Sequence, residues 1–553
     1  MNYGSLSQYL FIIIPFALFM ALGNTRFAKP YIHVLQQDSY KLDEYYKWVA
    51  ENKKYFVWQV VSILVVIAYG SIGLFIPDGV NNTFATFLML AGSIVYFAVA
   101  GLFYWRLTRK VFKKELVMTD RVKRLLRRFQ IYSAIIWAIL SGVSYFLAIN
   151  SNILVFYAAT MLPTLLVPRF VGYTAKVCEP IEEKIKKKFY DEAKNKLNDM
   201  DDLIKIGITG SYGKTSAKFI LGTILNEEYD TLTTPYSYNT PMGVVRSIRE
   251  QLEQIHEIFV AEMGARHVGD IKELCDLVEP KYGLISSIGP QHLETFGTLE
   301  NIINTKYELI EALPTDGVAF FPIDNEICRQ LYDKTTHCKK VAYCLDPVEG
   351  YETPLKITNF EVKSTGSTFT LTDGKEEVLC QTILLGKHNI QNILGAATLA
   401  HELGLTLTQI QEGINKVKAV EHRLQILPTN NGLTVIDDAY NSNPAGSRAA
   451  IDVISNFEGR KIIITPGMVE LGDVEDEENR QFGAYMADKI DLAILIGPRH
   501  SDPIRQGLIE NGFNEKNIRT LNTLREAMQF LPKVSKPGDI VLFENDLPDN
   551  YNE

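Results

Sequence analysis

The sequence predicts an α-helical multi-span membrane region followed by α/β structure. The α/β part reads as a P-loop type parallel-sheet domain and a smaller doubly wound α/β domain at the C-terminal end. Three observations predict this. Five long apolar stretches fill the first third of the chain. Charge divides the molecule: residues 1–190 carry 22 Lys and Arg against 10 Asp and Glu, and residues 191–553 carry 34 against 55. Finally, "DLIKIGITGSYGKTSAKFILGTILNE" runs strand, glycine-rich turn, helix.

The apolar stretches lie near 6–23, 56–76, 84–104, 132–149 and 152–168. The second and third have the ~20 residues a helix needs to cross hydrocarbon. The first lacks a basic leading segment and a small-residue cleavage site, so it reads as a retained span, not a signal peptide. Segment 24–55 holds six Lys and Arg, 77–83 none, 105–131 ten and 150–151 none. By the positive-inside rule this alternation puts the N-terminus outside a cell membrane crossed several times, with the rest of the chain cytoplasmic. No charged residue lies well inside a span, which speaks against a transporter or an ATP-gated pore. Residues 176–200 read as an amphipathic linker helix.

Charge and cysteine use exclude other classes. An acidic rear is no footprint for nucleic acid, and a basic front suits a lipid bilayer. The six cysteines form no CxxC pair and have no His at zinc-ligand spacing, so they read as reduced thiols.

In the strand–turn–helix segment, Ile204, Ile206 and Ile208 alternate as a strand does. Phe219, Ile220, Ile224 and Leu225 give the following helix an apolar face. Backbone N–H groups at that helix start, with Lys214, suit a triphosphate. Thr215 is placed to reach Mg²⁺ through its hydroxyl. The candidate ATP contacts are Gly210, Ser211, Gly213, Lys214, Thr215 and Ser216. The spacing is not the standard GxxxxGK[ST], because Gly207 stands six residues before Gly213 and Ile208 follows it.

The variant G-I-T-G-S-x-G-K-T-S resembles the ATP loop of the Mur ligase family, and further motifs follow in family order over residues 204 to about 480. "FVAEMGARHVGDI" resembles the family segment whose Glu, here Glu262, holds Mg²⁺. "YGLISSIGPQHLETFGTLENIINTKYELIEAL" resembles the segment with a metal-ligand His, here His292, and a lysine that the family carbamylates, here Lys306. "LLGKHNIQNILGAATLAHELG" matches a helix whose Asn389 and Asn392 would face the nucleotide base. "EHRLQIL" offers Arg423 as a nucleotide contact. "TVIDDAYNSNPAGSRAAIDVI" offers Asp438, Tyr440 and Asn441 toward ATP, and Asn443 and Ser447 toward substrate. That last motif and "GMVELG" are most typical of the D-alanyl-D-alanine-adding members. Those members have His where this chain has Asn479, and end a late strand in "KGS" where this chain has "IVLFEN".

The apolar stretches give a transmembrane region of about five spans over 1–175, in place of the family's usual N-terminal domain, and the charged run gives the linker helix over 176–200; the resemblance implies a central ATP-binding domain over 201–420 and a C-terminal domain over 421–553. It implies an ATP- and Mg²⁺-dependent ligase of cell-wall biosynthesis, with Lys214, Lys306 and His292 as catalytic groups and Thr215, Glu262 and His292 at the metal. A carboxylate acceptor, lipid-linked or UDP-linked, would be activated as an acyl phosphate and joined to an amino acid or dipeptide amine. The alternatives are a conventional UDP-N-acetylmuramoyl-tripeptide ligase that is membrane-tethered, and an inactive membrane scaffold.

Overall fold

The computed structural model describes residues 3–37, 40–52, 116–148, 166–363, 366–439, 443–469 and 471–546, with the isolated residues 64, 98 and 102. It divides into two compact units, Met1–Ile185 and Lys186–Glu553.

The first unit is helical: α1 (Tyr3–Gln37), α2 (Leu42–Glu51), α3 (Asp120–Ala148) and the first turns of α4 (Val167–Asn198). Phe27, Ala28, Tyr31, Ile32 and Leu35 of α1 recur at helical spacing and pack with Val122, Leu125, Phe129 and Trp137 of α3 and Val171 and Cys178 of α4. Arg124 grips Glu182 with two N–H donors, at 2.8 and 2.6 Å.

This corrects the expected multi-span region. Among the described residues no helix is long and apolar enough to cross a membrane. Apart from isolated residues, the expected spans 56–76 and 84–104 lie outside the described residues, as does 152–165 of the fifth. The span expected at 6–23 and residues 132–148 of that expected at 132–149 fall within α1 and α3, which run on into charged sequence. The alternation of charge predicts segments 24–55 and 105–131 as basic connections between spans. Their described parts are largely helix, with apolar residues between the charges serving as core. The multi-pass membrane location with an outside N-terminus, and the bilayer as partner, fall with the spans.

The second unit begins with a parallel sheet of order β2-β3-β1-β4-β5-β6. Its strands are β1 (Ile204–Thr209), β2 (Thr231–Thr233), β3 (Ile258–Glu262), β4 (Tyr282–Ile285), β5 (Val318–Pro322) and β6 (Lys339–Tyr343). Between them run α5 (Lys214–Leu225), α6 (Pro241–Gln251), α7 (Asp270–Val278), α8 (Leu293–Phe296), α9 (Leu299–Glu311) and α10 (Glu326–Lys334). Ile206 and Ile208 face a core with α5, while Phe259, Ala261 and Ile285 face another with α6, α7 and α9. Strands covered on both faces read as apolar runs, and "IFVAE" is buried throughout.

A small antiparallel sheet, β7 (Lys356–Lys363), β8 (Gly366–Thr372) and β9 (Glu377–Thr382), comes next, then α11 (Lys387–Glu402) and α12 (Leu407–Lys416). A second six-stranded sheet follows in the order β10-β11-β15-β12-β13-β14, parallel except for β10. It comprises β10 (Gln425–Leu427), β11 (Thr434–Asp438), β12 (Lys461–Thr465), β13 (Leu492–Ile496), β14 (Ile518–Leu521) and β15 (Ile540–Glu544). Its helices are α13 (Pro444–Ser455), α14 (Glu475–Met486), α15 (Pro498–Glu510) and α16 (Leu524–Val534). Open parallel sheets present ligand sites at the carboxyl ends of their strands, and here the tips of β1, β3 and β4 adjoin.

Candidate functional site

The glycine-rich turn is clamped from the side. Gly213 has φ 79°, the left-handed conformation that glycine adopts without strain. A Cβ there would meet Asn392 Oδ1 at 2.6 Å, so α11 closes against the turn. Ser211 donates its backbone N–H to Ser287 O (2.6 Å) and its hydroxyl to Gly289 O (2.8 Å), and accepts from Gly289 N. The segment after β4 thus fixes the turn that follows β1.

Glu262 ends β3 with no exposed surface. Its Oε1 accepts from the Thr215 hydroxyl (3.0 Å) and the Asn239 amide (2.9 Å), and its Oε2 pairs with Lys218 (3.1 Å). Burial would raise its pKa, but the charges of Lys218 and Lys214 and the Asn239 bond outweigh burial and hold it below the ordinary range. Lys214 Nζ donates to Gly210 O at 2.7 Å. Deep placement lowers its pKa to about 8, against the pull of Glu262. An anion arriving at this turn would gain a full charge from Lys214.

Lys306 on α9 is 2 % exposed, and burial pushes its pKa well down, helped by Lys214. The carboxylates near it are engaged elsewhere: Glu308 accepts from Gly269 N and Lys272 N, and Asp270 from Arg266 N and His267 N. His292 precedes α8 at φ 53°. Among the described residues no three His, Cys, Asp or Glu side chains gather as a metal cage. A single buried carboxylate with a hydroxyl beside it still fits Mg²⁺, which is held by one or two carboxylates and completed by phosphate oxygens and water.

The other expected contacts are spread along the second unit. Asn389 donates to Leu385 O (2.8 Å), one turn back. His388 Nδ1 is buried without a partner, and burial, with the Arg423 charge, lowers that ring's pKa to about 4. Arg423 also opposes the charges of Lys214 and Lys218. Asp438 ends β11, and burial, then the charge of Glu544, raises its pKa to about 7. Tyr440 and Asn441 lie outside the described residues. Asn443 caps α13 by accepting from Gly446 N, and Ser447 donates to Glu544 Oε1 at 2.7 Å. Sequence reasoning missed Lys218, Asn239 and Glu544. Each acquires its role from a partner far along the chain.

Two expectations follow. A carboxyl with a raised folded pKa holds its proton more tightly folded than unfolded. Stability contributed by Asp438 is therefore full below about pH 4 and is lost as pH climbs toward about 7. Urea unfolding across that window should show a flatter profile in Asp438→Asn than in the parent. Asn479 is buried, accepting from Met468 N (2.8 Å) and donating to Met468 O (2.8 Å) and Glu475 O (3.0 Å). It therefore holds the turn at Gly467. Asn479→Ala leaves those groups bare and should cost about 2–3 kcal/mol in urea unfolding.

Comparison with known proteins agrees with this geometry. Residues 208–400 match the Mur ligase middle domain and residues 422–544 the Mur ligase, glutamate ligase domain. A UDP-N-acetylmuramoyl-tripeptide–D-alanyl-D-alanine ligase of Haemophilus influenzae is 30% identical over 350 residues, 62% of this chain and 71% of that protein. The chain belongs to the Mur ligase family. The ligase of the same name from Bacillus subtilis is 29% identical over 346 residues, 61% of this chain and 72% of that one. The crystal structure of MurF from Acinetobacter baumannii superposes with a TM-score of 0.59 at 26% identity, covering 65% of this chain and 77% of that one. This Mur ligase is therefore an ATP-dependent, amide-forming ligase of peptidoglycan synthesis, MurF-like in sequence and fold. Like its family it uses ATP and Mg²⁺.

Proposed function

We propose that this Mur ligase joins D-alanyl-D-alanine to the terminal carboxylate of a UDP-linked muramoyl tripeptide. The γ-phosphoryl group of ATP passes to that carboxylate, giving an acyl phosphate and ADP. The dipeptide amine then attacks the acyl carbon, and phosphate leaves as the amide forms. Such transfer needs positioning and neutralised charge more than covalent help. The observation that carries the reading is the convergence of Thr215 and Lys218 on Glu262 beside the Gly210–Lys214 turn. Lys214 suits the phosphates, and Thr215 and Glu262, with His292, are the side chains to hold Mg²⁺, which supplies charge neutralisation there. Asn389, Asn392 and Arg423 would face the base and Asp438 the nucleotide, with Asn443 and Ser447 toward substrate. The likeness to ligases named for this reaction favours a UDP-linked over a lipid-linked acceptor.

Lys306 is proposed to carry a carbamate. A wholly enclosed amine kept neutral is the nucleophile that CO₂ needs: its nitrogen bonds the CO₂ carbon, one C=O π bond opens onto oxygen and an N–H proton is released, leaving the carbamate anion. Protein equilibrated with ¹³C-bicarbonate should show one carbamate carbon signal that Lys306→Ala lacks.

The reaction is tested by phosphate release. Release should need ATP, the UDP-linked tripeptide and D-alanyl-D-alanine together. Hydrolysis of ATP indifferent to both substrates would overturn the proposal.

A further inference from the structure

Lys218 sits on the second turn of α5 with no exposed surface. The ligation scheme above gives its ammonium no contact with ATP or substrate, and Lys218 enters it only through the pairing with Glu262. A buried lysine is costly to desolvate, and a well-packed apolar side chain in its place would commonly serve stability as well or better. Its neighbours on the same helix, Ala217, Ile220, Leu221 and Ile224, show that the local core is otherwise apolar.

Its ammonium lies 3.1 Å from Glu262 Oε2, donates to the carbonyl of Tyr236 and sits over the Phe219 ring. Tyr236 is a strained residue, at φ 47°, and its side chain is 75 % exposed. Left-handed backbone in a bulky residue persists only where its surroundings hold it, and such residues gather at functional sites. The same segment touches Glu262 twice more. Thr234 Oγ1 accepts from Glu262 N (3.1 Å), and Asn239 donates to Glu262 Oε1 (2.9 Å). The turn 234–239 is therefore tied to the Glu262 backbone at one end and to its carboxylate at the other, and Lys218 joins that carboxylate to the middle of the turn.

We infer that Lys218 is a positioning residue, locking Glu262 and the 234–239 turn into one body that presents the carboxylate to Mg²⁺-nucleotide. This rests on the assignment of Glu262 to the metal site.

The test is calorimetric titration of the full chain with AMP-PNP, with and without Mg²⁺. The parent should bind more tightly with Mg²⁺. Lys218→Met should bind metal-free AMP-PNP within about twofold of the parent yet lose about tenfold of the Mg²⁺-dependent gain, as residues that orient metal ligands do. In a Glu262→Gln background, Lys218→Met should change that gain no further. Hydrogen exchange over residues 234–239 should quicken in Lys218→Met while β1 and β4 stay protected. Lys218→Leu, an apolar side chain with no donor, stands in if Lys218→Met does not fold, with the same expectations. A parent that shows no Mg²⁺-dependent gain would overturn the metal assignment itself. A parent that shows the gain, with Lys218→Met matching it, would overturn the role of Lys218 alone. So would additive losses in the Glu262→Gln background.

Discussion

Lys306→Ala should suppress amide formation, with phosphate release falling about 10²–10³-fold, the scale set by losing a preorganised charge at a phosphoryl-transfer site. AMP-PNP affinity should change little, because Lys214, Thr215 and the glycine turn remain. Stability should hold or rise in thermal unfolding of protein freed of bicarbonate. A buried amine is costly to desolvate, the more so beside Lys214, and alanine removes that cost. Loss of activity with unchanged stability separates a chemical role from a structural one. Full activity in Lys306→Ala would sink the carbamate assignment.

Glu262→Ala should lower stability by about 3–5 kcal/mol in urea unfolding, the cost of leaving one member of a buried ion pair alone. Lys218 then has only the Tyr236 carbonyl and the Phe219 ring, and the Thr215 hydroxyl loses its acceptor. The Mg²⁺-dependent gain in nucleotide affinity should disappear in the same variant. Adding Lys218→Met to Glu262→Ala should restore most of the lost stability without restoring the gain. A double variant no more stable than Glu262→Ala would show that the cost lies in the cavity left by the carboxylate, not in the stranded ammonium.

The strand, turn and helix from Ile204 to Leu225 were legible because alternation, three glycines and an apolar helical face are all local signals. The strand that ends at Glu262 was legible through its motif. Lys218 was not, since a lysine on the second turn of a helix reads as surface until a carboxylate 44 positions on is brought against it. The clamp on Ser211 was equally silent: its partners Ser287 and Gly289 arrive through the pairing of β1 with β4. The helical front was misread for the opposite reason. Counting lysines and arginines between apolar stretches ignored Phe27, Tyr31 and Leu35, which repeat at helical spacing among those charges and are buried.

The order of the second sheet has a consequence for how the protein is made. β15 lies between β11 and β12 and pairs with both, although it is the last of the six strands in the chain. During synthesis from the N-terminal side, the middle of this sheet is therefore its last strand to leave the ribosome. Until Ile540–Glu544 emerges, β11 and β12 each present an unfilled edge. Ser447 and Thr465 also lack the Glu544 carboxylate that joins them across the sheet, each at 2.7 Å. The domain closes like a zip whose slider is threaded last, and the partly made chain is the form most open to strand-to-strand aggregation.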